Sequence, residues 1–324
     1  MNTMVRHALL RTARIAALFA LAVPAAAQVS GDGDQTTQKL PADHILDRDR
    51  YERLTVPVTI GGVGPYRFLI DTGAQATAIT HAVADDLALP RRGQATLVAL
   101  GSARAVDLVE VDELSFADRS ITGLLSPLLY ERHIGADGIL GLDSLQDLRV
   151  LIDFREDRML VDDARALGGN AGFEIIVRAR RKLGQMVITD ARMDNTRVAV
   201  VIDTGAQASV GNRALMRRLR AAEGGKTGTI DAHGTFVVSD LAYIRKLEIG
   251  GMTMGDVPIG FNESPIFAAL GLSKRPALIL GIRNMRVFDR VAIDFAKRRV
   301  LFDVPAEYDR ARVRNGIRWP ANWP

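Results

Sequence analysis

A ten-residue stretch occurs twice in this chain. Phe68–Thr77 carries an apolar run into Asp71-Thr72-Gly73-Ala74-Gln75-Ala76, and Val200–Ser209 carries another into Asp203-Thr204-Gly205-Ala206-Gln207-Ala208. An apolar run of this length reads as a buried strand, and the Gly behind it favours a turn. Each copy therefore sets a carboxylate at the tip of a buried element, where a lone charge is costly without a partner. One copy would carry little weight, because Asp and Gly end strands routinely. Two copies point to a pair of carboxylates and to a duplicated chain.

The remaining blocks follow the same order in both halves. Ala99-Leu100-Gly101-Ser102 corresponds to Ala232-His233-Gly234-Thr235, and Asp107-Leu108 to Asp240-Leu241, both at an offset of 133. Ile139-Leu140-Gly141-Leu142 corresponds to Ile279-Leu280-Gly281-Ile282, and Ile152-Asp153-Phe154 to Ile293-Asp294-Phe295, after a longer second connection over 262–276. A repeat of about 130 residues is too long for a solenoid and reads as a tandem duplication. The pattern predicts a hairpin with Gly61–Pro65 as its turn. It also predicts a short helix capped by Thr80, and a matching helix from Asn212 to Ala221 with Leu215 and Leu219 inward. The basic run Arg178–Lys182 reads as a solvated turn.

The fold is thus expected to be mainly β, with two closed β lobes in tandem related by pseudo-twofold symmetry. The lobes are placed at 51–165 and 166–305, after a flexible lead at 28–50 and before a C-terminal tail at 306–324. Arg6, Arg11 and Arg14 precede an apolar run from Ile15 to Val23, followed by Ala25 and Ala27 in small-x-small spacing. Residues 1–27 therefore read as a secretory signal peptide, and the mature protein as periplasmic or secreted. The nine-residue apolar run is too short to span a bilayer, so stable membrane insertion is not expected. The chain has no Cys, so it forms no disulfide and must be held by core burial. Without the first 27 residues, 39 basic residues face 38 acidic ones. Nothing in that balance points to a nucleic-acid partner.

Apolar-Asp-Thr-Gly-Ala with a downstream apolar-apolar-Gly resembles the retropepsin-like aspartic proteases, including exported bacterial members. The resemblance covers residues 54–162 and 185–303. It implies two all-β lobes, one catalytic Asp from each, and a protein or peptide substrate cleaved between them. Asp71 and Asp203 are then the catalytic pair. Thr72 and Thr204 resemble the cross-lobe hydroxyl pair that ties the two loops together. Gly73 and Gly205 allow the tight turn, while Gly141 and Gly281 look like glycines crossed by the active-site loop. Gly101 and Gly234 look like tips of substrate-covering flap hairpins. Both lobes lie in one chain, so a monomer is expected. The second half departs from the first at Pro276-Ala277-Leu278 and Val210-Gly211-Asn212, which replace Ala136-Asp137-Gly138 and Ala78-Ile79-Thr80.

The chemistry asks for such a pair independently. Two carboxylates about 3–4 Å apart share one proton, so one can take a proton from water while the other donates to a peptide carbonyl. No metal or cofactor is required. His7, His44, His81, His133 and His233 lack zinc-protease spacing, and no Gly-x-Ser-x-Gly elbow is present. His81 and His233 read as surface or flap residues, and Asp153 and Asp294 as structural. A non-catalytic peptide-binding module with the same fold is the alternative reading. Ala74 and Ala206 stand where pepsin-like enzymes commonly carry Ser or Thr. The missing hydroxyl donor predicts a pair that titrates higher and works at less acid pH.

Overall fold

The computed structural model describes residues 55–219 and 222–305, with the backbone of 16–18 and 317–318. The signal peptide's remaining residues, the lead at 28–50, Ala221 and most of the C-terminal tail lie outside the described residues. Ala16–Leu18, within the expected signal, pairs in parallel with Thr96–Val98. Ile317–Arg318 pairs with Met254–Gly255, while Trp319 and Trp323 lie outside the described residues.

In the first half, six strands close into a ring. Ala103–Phe116 pairs with Thr55–Ile60, which pairs in turn with Val63–Ile70. Val63–Ile70 then meets Gly138–Leu140, that strand meets Ala78–Thr80, and Ala78–Thr80 meets Arg119–Leu129. Arg119–Leu129 returns to Ala103–Phe116. The second half repeats every step with the same strand senses. Its ring runs Phe236–Ile249, Gln185–Met193, Thr196–Ile202, Ala277–Leu280, Val210–Asn212, Met252–Asn262 and back. The altered segments Ala277–Leu280 and Val210–Asn212 therefore keep the geometry of their counterparts.

The strand patterns explain where the ends of the motif strands go. Ala103–Phe116 buries Val109, Val111, Leu114 and Phe116 and exposes residues between them, as a strand with one covered face should. Val63–Ile70 begins exposed and ends in three consecutive buried residues. Phe68 and Ile70 enter the barrel core, whereas Leu69 joins an apolar cluster on the other face with Ala74, Leu97 and Ile139. Val200 and Ile202 likewise face the core, and Val201 the opposite cluster. Both faces are covered at these tips, so the sequence there is continuously apolar rather than alternating. Each strand delivers its Asp to the space between the halves.

A third sheet belongs to neither barrel. Its order is Arg158–Asp162, Arg149–Asp153, Arg290–Asp294, Arg299–Asp303, Ile175–Arg178. At its centre Arg149 pairs with Asp294, Leu151 with Ala292, and Asp153 with Arg290, the register of a twofold axis between the halves. Arg149 and Asp294 are both buried and form an ion pair at 2.8 Å. Asp153 accepts from the backbone N–H groups of Arg155 and Glu156. The boundary read at 165/166 falls in the connection between two strands of this common sheet.

Three local expectations need correction. The hairpin turn is Gly61-Gly62 only, and Val63, Gly64 and Pro65 already belong to the next strand. The helix after Asn212 spans only Arg213–Met216, because bonds from Arg218 to Leu215 and from Leu219 to Met216 tighten its end. Leu215 is buried and Leu219 packs against the core. The basic run is no turn. Arg178 ends a strand of the common sheet, Ala179 is buried, and Arg180–Lys182 starts the next strand. Arg178, Arg180 and Arg181 are all exposed on these edge strands.

Candidate active site

Asp71 and Asp203 follow the two buried strand ends. Asp71 N–H donates to Leu140 O at 3.0 Å, and Asp203 N–H to Leu280 O at 3.1 Å. Each carboxylate closes its own turn. Asp71 Oδ1 accepts from Gly73 N–H at 2.8 Å and Ala74 N–H at 3.0 Å. Asp203 Oδ1 accepts from Gly205 and Ala206 N–H, both at 3.0 Å. Gly73 and Gly205, expected for the tight turn, are required instead by proximity across the halves, since neither has a positive φ. A Cβ on Gly73 would stand 2.4 Å from Asp203 Oδ2, and one on Gly205 would stand 2.3 Å from Asp71 Oδ2.

The two threonines bind across the interface reciprocally. Thr72 Oγ1 donates to Ile202 O at 3.0 Å and accepts from Thr204 N–H at 3.1 Å. Thr204 Oγ1 donates to Ile70 O at 2.7 Å and accepts from Thr72 N–H at 3.0 Å. All four bonds are buried, so Thr72→Val or Thr204→Val should each destabilise the protein by about 2–4 kcal/mol, two lost bonds plus the groups left unpaired. The double variant should cost less than the sum, since both hydroxyls serve one network. Urea denaturation measures this, and additive losses would show the two hydroxyls acting separately.

Gly141 and Gly281 pack against the two Asp-bearing loops. A Cβ on Gly141 would stand 2.4 Å from the Ala76 carbonyl carbon, and one on Gly281 would stand 2.7 Å from Ala206 O. Their N–H groups donate to Thr77 Oγ1 at 3.1 Å and Ser209 Oγ at 3.0 Å. Thr77 and Ser209 escaped the sequence reading, although a hydroxyl at the same place in both copies was the available signal. Asp143 binds Thr77 N–H and Oγ1 in the first half, where the second half has Arg283. Burial pushes the Asp143 carboxyl up, and the bonds from Thr77 oppose that.

Gly101 and Gly234 lie in the turns of two long hairpins, Arg91–Val98 with Ala103–Phe116 and Ala222–Ile230 with Phe236–Ile249. The turns meet. Buried Asp231 accepts from Gly101 N–H at 3.1 Å and Ser102 Oγ at 2.7 Å, and also from His233 and Thr235 N–H in its own turn. His233 Nε2 is 3.1 Å from Leu97 O, and Gly234 rests on the ring of His133. The apolar tips join the clusters that hold Ala74 and Ala206. His81 stacks on Tyr130 with ring centroids 4.5 Å apart.

Electrostatically the carboxylates behave as one unit. Both are at most 1% exposed. Burial raises Asp71 to about 6, against the pull of the Gly73 and Ala74 N–H groups. Burial also raises Asp203 well above the usual carboxylate range, and the neighbouring Asp71 charge adds to it. Burial disfavours the charged form of both carboxylates, so the two titrate as a pair. Asp71 Oδ2 is buried and turned toward Gly205 of the other half. Among the described residues no cluster of His, Asp and Glu could hold a metal ion.

The profile of the aspartyl protease family matches residues 56–144 and 189–283, once per half. The chain belongs to the aspartyl protease family. It is a duplicated, retropepsin-like member, with both family regions in one polypeptide. No curated protein matches the chain.

Proposed function

We propose that this aspartyl protease is an exported endopeptidase that cleaves peptide bonds with Asp71 and Asp203 acting as a dyad between its halves. The observation that carries the reading is the pair of buried carboxylates, one from each repeat, both pushed above the usual carboxylate range by burial. Such a pair costs stability, and a module that only bound peptides would gain nothing from it. In the reaction Asp71 takes a proton from water as its oxygen attacks the peptide carbonyl. Asp203 gives its proton to the carbonyl oxygen, and a gem-diol forms. Collapse returns a diol proton to Asp203 while Asp71 protonates the leaving amine. The hairpins bearing Gly101 and Gly234 part to admit the peptide and close over it as flaps. Export rests on Arg6, Arg11, Arg14 and the apolar run behind them, and a monomer suffices because one chain holds both carboxylates. Incubating the mature protein with an unfolded polypeptide tests the reading, with Asp71→Asn as control. A mature protein that leaves the polypeptide intact, or a control that cleaves equally well, would overturn it.

The pH dependence follows from the same pair. Activity needs Asp71 ionised and Asp203 protonated. Asp71 lies at about 6, so kcat/KM should fall as pH drops below that value rather than peak in strong acid. Ala74 and Ala206 are buried beside the carboxylates and offer no hydroxyl. Ala74→Ser with Ala206→Ser adds donors to the ionised form and should move the acid limb down by roughly one pH unit or less. A folded double variant with an unchanged or alkaline-shifted profile would remove this account.

A further inference from the structure

We propose that Gln185 is a positioning residue for the dyad: it reaches across from the second half and fixes the Gly73 peptide against which Asp203 is set. The proposal rests on the hydrolytic reading above. Gln185 opens the strand Gln185–Met193 and is 2% exposed. Its Nε2 donates to Gly73 O at 2.5 Å. Gly73 is thereby held at both of its polar groups, because its N–H donates to Asp71 Oδ1 at 2.8 Å. Its Cα faces Asp203 with no room for a methyl group. One residue thus touches both carboxylates, and Gln185 is a tether on it that comes from the opposite half.

The segment before Gln185 is docked to the same loop. Leu183 O accepts from Gln75 Nε2 at 3.1 Å, and Gly184 lies against the side chain of Leu142. Leu183 and Gln185 therefore both bind the Asp71 loop, and Gly184 packs on Leu142, whose N–H donates to Ala74 O. The amide orientation is dictated by the Gly73 carbonyl, which needs a donor. That leaves Gln185 Oε1 buried with no hydrogen-bond partner. An apolar side chain of equal length would fill the space without that burden. Keeping a half-satisfied amide beside the dyad makes sense where the Nε2–H to Gly73 is what matters.

The test compares Gln185→Met and Gln185→Glu with wild type, each checked for folding by its melting curve. Gln185→Met keeps the length and loses the donor. Its kcat should fall about tenfold, the effect of roughly 1.4 kcal/mol, with KM unchanged. Gln185→Glu can donate to Gly73 O only while protonated, so its activity should approach wild type in acid and collapse as the new carboxyl ionises. A merely structural side chain would not produce that pH-dependent recovery. The pH titrations of the Asp71 and Asp203 carboxyl carbons by NMR give a readout that needs no hydrolysis, and both should move in Gln185→Met. If wild type cleaves but Gln185→Met keeps its kcat and pH profile, or Gln185→Glu matches Gln185→Met at every pH, the positioning role is wrong. If no protein cleaves, the hydrolytic reading is wrong, and unchanged carboxyl titrations in Gln185→Met would overturn the positioning role separately.

Discussion

Asp71→Asn and Asp203→Asn each abolish hydrolysis, and at neutral pH Asp71→Asn melts at a higher temperature than the wild type. Base and acid are two halves of one proton exchange, so removing either should cost a factor of about 10²–10⁴ or more, close to the cost of removing both. The stability change has the opposite sign and follows from the titration. Asp71 is raised from 3.8 to about 6 by burial, so the folded state holds its proton more tightly than the unfolded chain. Below pH 3.8 both states are protonated and no penalty exists. As pH rises toward 6 the unfolded chain ionises while the folded one resists, and stability falls by a few kcal/mol. Asn carries no charge at any pH, and its carbonyl oxygen can still accept from Gly73 and Ala74 N–H. The melting temperatures should therefore converge near pH 4 and separate by several degrees at pH 7 and above. Turnover within about tenfold of wild type in a folded variant would break the dyad mechanism. Equal melting temperatures across the range would show that the buried carboxylate carries no such cost.

Much of this arrangement was legible because the chain states it twice. A repeated Asp-Thr-Gly-Ala marked the paired carboxylates, threonines and glycines in both halves, although the glycines were expected for a tight turn and the structure gives crowding as their reason. The continuous apolar runs before Asp71 and Asp203 marked strands covered on both faces, and the structure shows Leu69 and Val201 packed against the outer clusters. What breaks the repeat was harder to read. Asp231 has Val98 as its counterpart at the offset of 133, so no pairing argument could mark it as the carboxylate joining the two hairpin turns. Gln185 is a lone amide at a strand start, and its contact with Gly73 spans 112 residues. The common sheet was hidden for another reason. Ile152-Asp153-Phe154 and Ile293-Asp294-Phe295 matched as a repeat, but a repeat does not say that its two copies pair with each other. Helix and turn limits slipped because local propensity at Gly61–Pro65 and after Asn212 is overridden by sheet pairing and end tightening.

Gly73→Ala and Gly205→Ala should each cost about a hundredfold in kcat/KM while the protein still folds. Neither glycine is among the residues with positive φ, so backbone freedom is not the reason for glycine here. The reason is the carboxylate opposite. A methyl group at Gly73 would sit 2.4 Å from Asp203 Oδ2, and one at Gly205 would sit 2.3 Å from Asp71 Oδ2, roughly 1 Å inside ordinary contact. Relief has to come from the carboxylates or from their loops. The loops are held by the Thr72 and Thr204 bonds, and Gly73 additionally by Gln185. The carboxylates therefore swing, and a misplacement of about 1 Å in a catalytic group is worth about 10²-fold in rate. The overpacking itself costs about 1–3 kcal/mol, which a chain of this size can absorb. Separation also weakens the coupling, so the two carboxyl titrations should draw together in the Ala variants. Stopped assays give the rate, and carboxyl NMR gives the titrations. A folded Gly73→Ala protein with wild-type kcat/KM would mean that the carboxylates do not need their present spacing. The close approach across the halves would then be packing rather than chemistry.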